Sequence, residues 1–329
     1  MDARVGADAP LLVCCGLATL DVVQVVDAVP GANQKVVAQD LTVTFGGPAA
    51  NAAATAVALG VPTRLVTALG RSPIADLVRE GLADAGVEVV DLLADRPGAP
   101  AVSTVLVTRA TGERAVVSVN ATATGDLSVK ERVDELLAGG TAVLVDGHHL
   151  SAAVELAARA DAPVLLDAGS WKPGLDGLLQ HVDHAVLSAD FRLPASLVPA
   201  GDPDPGGAPG SVADLLALVA ALGPTFVAQS SGAGPVHVLA PPSTTVHGAV
   251  APQGEQPLVV RPMVVHPPVV PADEVVDTLG AGDVLHGAMA AALARGIDPL
   301  AALAQGVARA SESVRHAGAL GWTTAAGRR

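Results

Sequence analysis

The residues that most plainly carry chemistry are Asp277-Thr278-Leu279-Gly280-Ala281-Gly282-Asp283, which run straight into Val284–Arg295. In that run Leu285, Met289 and Leu293 fall on one helical stripe, and Gly296 marks its stop. Gly280, Ala281 and Gly282 therefore stand at a helix N-terminus with little side-chain bulk. Their N–H groups, reinforced by the helix dipole, make an anion hole suited to charge developing on a transferring phosphoryl group. Asp283 lies in the first turn, where the same dipole keeps it ionised and ready to accept a proton from an attacking hydroxyl. Taken alone, Gly-Ala-Gly-Asp fits an ordinary acidic first turn with packing glycines equally well.

A second segment, Gly46-Gly47-Pro48-Ala49-Ala50-Asn51, precedes the apolar run Ala52–Leu59. Glycines after an extended stretch let backbone approach a ligand, and the Asn51 amide can donate to one hydroxyl and accept from another. Taken alone, a glycine turn with a capping Asn explains it better. The segment is no Walker A loop, since G-x-x-x-x-G-K-[ST] is absent. Asp146, ending the run Ala142–Val145, could reach a sugar hydroxyl, while His148-His149 read as loop residues. His286, one turn beyond Asp283, faces either a cleft or the sheet. Lys35, Arg109 and Arg114 read as solvated unless the substrate is anionic, and the neutral case is favoured.

Positioning such groups requires a scaffold. Strand-like runs (Leu11–Leu17, Thr63–Ala68, Ala142–Val145, Pro163–Asp167, His184–Ser188, Thr225–Gln229) alternate with helical ones (Pro48–Leu59, Ile74–Ala85, Ser151–Ala160, Val212–Leu222). The strands are apolar at consecutive positions, as when helices cover both faces of a parallel sheet, so the pattern predicts a three-layer α/β core. Lys35–Phe45 and Ala101–Val119 instead alternate β-branched with polar residues, the second around a turn at Thr111-Gly112-Glu113. They predict a small antiparallel sheet, read as a lid over a cleft or as a β subdomain without a gating role. Pro199–Gly210 and Pro241–Pro271 read as surface loops.

The 329 residues permit one large domain or two smaller ones; 50% are hydrophobic but only 2% aromatic, with no Tyr, so Ala, Val and Leu must fill the core. A formal charge of −14 with lysine only at positions 35, 130 and 172 argues against nucleic acid as a partner. No stretch is apolar for long enough to span a membrane, and Leu11–Ala18 is flanked by acids rather than by a basic leader. Cys14 and Cys15, being adjacent, rule out a disulfide framework, and the expected setting is cytoplasmic.

Gly46-Gly47-Pro48-Ala49-Ala50-Asn51-Ala52-Ala53 near one end and Asp277–Asp283 near the other resemble, in type and order, the two motifs of the ribokinase-like (PfkB) carbohydrate kinases. Gly16–Asp21 looks like the family's first strand with its substrate-binding acid, and Arg315-His316-Ala317-Gly318-Ala319 like its C-terminal turn near the adenine and monovalent-cation sites. The resemblance implies a single ribokinase-like domain over residues 1–329, with a β lid from about 21–45 and 99–122 that often provides homodimer contacts. It implies ATP-dependent phosphorylation of a hydroxymethyl group on a sugar, a ketose being the nearest match, with Mg²⁺ and with K⁺ around Asp277. Asp283 corresponds to the base, Gly280, Ala281 and Gly282 to the anion hole, and Asp21, Gly46, Gly47 and Asn51 to sugar-binding positions. Ser188, Ser230, Gly232 and Gly318 correspond to the nucleotide side. Ser188-Ala189-Asp190-Phe191 stands where the family often has Asn-x-x-Glu beside Mg²⁺, so the acid there is either Asp190 or absent. Val227–Gly234 likewise lacks the usual Thr and shifts the glycines. A nucleoside kinase of the same family, disfavoured by the few aromatics, and a non-catalytic sugar or nucleotide sensor are the alternatives.

Overall fold

The computed structural model describes residues 9–112, 114–119, 125, 127–198, 211–241 and 263–326. The expected loop Pro199–Gly210, the lid's Glu113 and residues 120–122, and most of Pro241–Pro271 lie outside the described residues.

The main sheet has nine strands in the order β13-β12-β11-β10-β9-β8-β1-β4-β5. These are β1 (Leu12–Cys15), β4 (Thr63–Thr67), β5 (Glu88–Asp91), β8 (Ala142–Val145), β9 (Val164–Ala168), β10 (His184–Leu187), β11 (Phe226–Gln229), β12 (Val236–Leu239) and β13 (Met263–Val265). Neighbours from β5 through β11 are parallel, and β12 and β13 add an antiparallel edge. β13 corrects the reading of Pro241–Pro271 as loop throughout: three residues pair at the sheet's outer edge, where nearby prolines cost no interior ladder bond.

Consecutive apolar residues feed both faces. Leu12 and Cys14 join the core under α1 (Pro48–Ala58), α2 (Pro73–Asp84), α7 (Ala281–Ala294) and α8 (Pro299–Ser313). Val13 and Cys15 join the opposite core under α3 (Val133–Leu137), α4 (Leu150–Arg159), α5 (Leu175–Leu179) and α6 (Val212–Ala220). A short α9 (Gly321–Ala326) follows. Burial pushes both cysteine thiols well up, so neither is nucleophilic. The Ala-rich α1 and α7 lie almost in contact: a Cβ on Gly287 would sit 2.4 Å from the Ala52 carbonyl oxygen. Small side chains on both helices thus bring Asn51 and Asp283 together from opposite ends of the chain.

The second sheet has the order β3-β2-β6-β7, from β2 (Thr19–Val26), β3 (Asp40–Gly46), β6 (Ala101–Thr108) and β7 (Arg114–Ser118). Both insertions contribute, but the sheet is mixed rather than antiparallel throughout: β2–β3 and β6–β7 are antiparallel, while β2 and β6, which arrive from separate insertions, run parallel. Two boundaries differ from expectation. The strand in Lys35–Phe45 begins only at Asp40, and Asp21 belongs to the lid's β2 rather than to the first core strand, which ends at Cys15. The bend at Gly16 redirects the chain from one sheet into the other. On one lid face Val43, Val22, Thr104 and Val117 lie opposite one another in register, and Val43 and Val117 are exposed.

Candidate active site

The site forms where the strand order reverses about β1, at the C-terminal ends of the parallel strands, the place open α/β sheets offer ligands. Asp146, closing β8, is buried and organises it. Its Oδ2 accepts the N–H of Leu17 (2.8 Å), after β1, and of Ala49 (3.2 Å), in the first turn of α1. Its Oδ1 accepts the His148 N–H (2.9 Å). Burial alone would raise its carboxyl, but the adjacent His148 ring and these N–H donors win and hold it below the usual carboxylate range. His148 Nδ1 stands 3.1 Å from Oδ1 but off the line of a hydrogen bond. Asp146 is therefore spent on backbone, which removes the expectation that it reaches a sugar hydroxyl.

Gly280, with φ 71°, caps α7 in the left-handed region, where a Cβ would also meet that of Ala319 at 2.4 Å. The N–H groups of Gly280, Gly282 and Asp283 have no acceptor among the described residues, whereas Ala281 N–H reaches back 3.4 Å to Thr278 O. Of the three expected anion-hole donors, Ala281 is thus partly engaged in a turn.

Asp283 is half-buried, and its Oδ2 accepts from Asn51 Nδ2 at 2.7 Å. Removal from water first, and then the neighbouring Asp167 carboxylate, push its carboxyl up to about 7, against the Asn51 hydrogen bond and the His286 ring. Asn51 is not the cap of α1. Gly47 caps that helix, and the Asn51 N–H bonds Gly47 O at 2.9 Å, leaving the side chain free for Asp283. In the lid, Asp21 accepts from Thr19 Oγ1 at 2.6 Å; burial raises its carboxyl, with the Thr19 and Ser103 hydroxyls opposing. Gly46 ends β3 opposite Thr19, at the foot of the lid. A cleft of about 550 Å³ lined by Val29, Thr108, Gly112, Arg114 and Thr278 separates lid from anion-hole loop. Arg114 Nη1 donates to Thr278 Oγ1 across it (3.0 Å), while Arg109 bonds Gln39 within the lid and Lys35 is exposed.

The expected nucleotide-side residues lie at neighbouring strand ends. Ser188 Oγ donates to Gly169 O (2.7 Å) and Ser230 Oγ to Leu187 O (3.2 Å), so both hydroxyls tie strands together. Gly232, at φ 54°, lies in the turn after β11. Asp277 accepts from Leu279 N–H and Gly318 N–H, each at 2.8 Å, joining the anion-hole loop to the C-terminal turn with both its oxygens. Asp190 is exposed after β10. Among the described residues no three His, Cys, Asp or Glu converge as a metal cage. Asp190 leaves one exposed carboxylate there, within the one or two that Mg²⁺ takes when phosphate and water complete its shell.

Sequence reasoning missed Asp167 altogether. Its one signal is an acid ending an apolar parallel run, Val164-Leu165-Leu166-Asp167.

The model of the pfkB family carbohydrate kinases matches residues 9–190 and 250–324. The chain belongs to this family. As a pfkB carbohydrate kinase it is 26% identical over 331 residues to the ribokinase of Arabidopsis thaliana, covering 97% of this chain and 79% of that protein. Similar folds include Thermotoga maritima ribokinase, with TM-score 0.70, 22% identity and 94% of each chain covered. Arabidopsis ribokinase complexed with ribose and ATP matches at TM-score 0.66, 23% identity and 94% of each chain. The adenosine kinase of Sinorhizobium meliloti matches at 0.69, with 16% identity, covering 98% of this chain and 99% of its own. The three-layer α/β kinase fold with its small second sheet is thus shared across these enzymes. No helix among the described residues of this kinase is long and apolar enough to cross a membrane.

Proposed function

We propose that this kinase transfers the γ-phosphoryl group of ATP to a hydroxyl, a hydroxymethyl in the first instance, of a sugar, with Asp283 as the proton acceptor. The observation that carries the reading is the Asp283 carboxyl, held by Asn51 at the helix start where three N–H groups lack acceptors among the described residues. In the reaction the sugar oxygen attacks phosphorus, the bond to the ADP oxygen breaks, and the hydroxyl proton passes to Asp283. The open N–H groups of Gly280, Gly282 and Asp283 stabilise the charge on the phosphoryl oxygens. Mg²⁺, when bound, would neutralise phosphate charge, and Asp190 is the carboxylate that would hold it. Asp277, its oxygens taken by N–H groups, orders the loop, and backbone around it is the place for K⁺. Ser188, Ser230, Gly232 and Gly318 line the nucleotide side. Asp21, Gly46, Gly47 and Asn51 hold the sugar under the lid, in the cytoplasm.

The deciding experiment is a coupled ADP-release screen with MgATP across ketoses, aldoses, nucleosides and sugar phosphates. A neutral ketose or aldose should be turned over best. A nucleoside turned over fastest would move the reading to a nucleoside kinase, and no ADP release with any acceptor would leave a sensor. A phosphorylated or sulfonated sugar outpacing its neutral parent would bring Arg114 into substrate binding. Once the substrate is known, Asn51→Ala and Asp21→Ala should each weaken its Kd by about 1 to 3 kcal/mol, by stranding a sugar hydroxyl. Calorimetry reads this, and unchanged Kd in both variants would place the sugar elsewhere.

The exposed apolar lid face around Val43 and Val117 is proposed to pair with a second copy of this chain. Sedimentation should show a dimer that Val117→Glu dissociates; a monomeric wild type would remove the proposal.

A further inference from the structure

His286 and Asp167 are both buried beneath the proton acceptor, and nothing above gives them a role. His286 lies one turn along α7 from Asp283. Its Nδ1 is 2.7 Å from Gly282 O and its Nε2 3.2 Å from Val186 O, at the end of β10. A carbonyl oxygen only accepts, and a neutral imidazole has one N–H, so both contacts are hydrogen bonds only when the ring is cationic. A counter-charge is in place. Asp167 Oδ2, near the end of β9, lies 3.2 Å from Nδ1, yet off its hydrogen-bond line and with no hydrogen-bond partner among the described residues. A carboxylate oxygen buried without a hydrogen bond is costly unless a neighbouring charge compensates it, and His286 is the charge within reach.

We propose that Asp167 and His286 form a buried ion pair that acts as a positioning device for Asp283. The pair fixes the Gly282–Asp283 peptide through its carbonyl and places one opposing and one like charge beside the acceptor carboxyl. This inference rests on the reading of Asp283 as the base. His286 fixes the peptide whose other end is the Asp283 N–H, one of the open donors. The two members then act on Asp283 in opposite senses, the carboxylate raising its proton affinity and the imidazolium lowering it, as the directions of its shift record. The remaining charged groups facing the cluster are Asp146 from the end of β8, His148 from the loop after it, and Lys172 from the loop after β9. Asp146, held ionised by its three N–H donors, adds to the rise at Asp283, but as a weaker cause than Asp167.

The test needs no substrate and is read on ligand-free protein, so its outcome is independent of the sugar screen. With ¹³C-carboxyl-labelled Asp, the Asp283 signal is identified by its loss in Asp283→Asn and titrated by NMR. Its midpoint should fall by about one pH unit in Asp167→Asn and rise by about one in His286→Asn. A purely structural role would not move the midpoint in opposite directions; shifts of the same sign, or none, overturn the proposal. Wild-type protein offers a check that no variant's folding can spoil. Long-range ¹H–¹⁵N spectra should show one histidine whose two ring nitrogens both carry protons held in hydrogen bonds to carbonyl oxygens, and the absence of any such ring would equally overturn it.

Discussion

Asp283→Asn is expected to lower kcat by about 10² to 10⁴ while leaving sugar Kd within about threefold of wild type. The amide keeps the shape of the carboxylate, and its oxygen can still accept from Asn51, so only the proton acceptor is lost. The pH profile adds a second, independent reading. A base works when deprotonated, so kcat/KM of the wild type should rise with pH through about 7, where burial and Asp167 have pushed this carboxyl, and fall away below it. The residual activity of the variant should lack that limb. Steady-state kinetics on the substrate found by the screen decide the matter. A kcat within threefold of wild type, about 0.6 kcal/mol, would remove Asp283 from the role of base.

The second large effect is on the fold itself. Asp146→Ala should destabilise the protein by about 3 to 5 kcal/mol, the range for removing one partner from a buried charged cluster. Three N–H groups, of Leu17, Ala49 and His148, lose their acceptor inside the protein at once. The pH dependence has a definite sign. The folded carboxyl is held below its unfolded value, so its contribution is complete above about pH 4 and is lost as pH falls below that. Wild type should therefore lose denaturation midpoint on acidification, and the variant should lose less over the same interval. Chemical denaturation at pH 7 and in the acid range measures both. A loss under about 1 kcal/mol at pH 7 would show that water can replace this carboxylate. Because Leu17 precedes the strand carrying Asp21 and Ala49 the turn carrying Asn51, the surviving folded variant should also bind sugar less tightly.

How much of this was legible follows from the range of each interaction. The alternation of apolar runs with helical ones, the period-two pattern of the two lid segments and the small-residue opening of α7 are local properties, and all three stand in the structure nearly where the residues placed them. Weakly patterned elements were not legible: β5 and β12 are only partly buried, unlike the equally short β1, β8, β10 and β11, and β13 has three residues among prolines. α8 is long, but its buried positions Ala302, Leu303, Gly306 and Val307 mix small with large residues and blur the stripe.

Within the site the division is sharper. That an acid follows a bare helix N-terminus and that an amide opens an apolar helix can be read from the residues, because both are statements about neighbours along the chain. Tertiary structure alone decided that Asn51 holds Asp283 rather than capping α1, since small residues at Ala52 and Gly287 let two distant helices approach. It alone decided that Asp146 and Asp277 spend their oxygens on backbone, and that His286 lies over Asp167 rather than in the cleft. A carboxylate buried at a strand end takes whichever N–H groups or charges the neighbouring strands bring to it. That choice follows from strand order and helix packing, which link residues far apart in the chain and leave no mark on the spacing of any one segment.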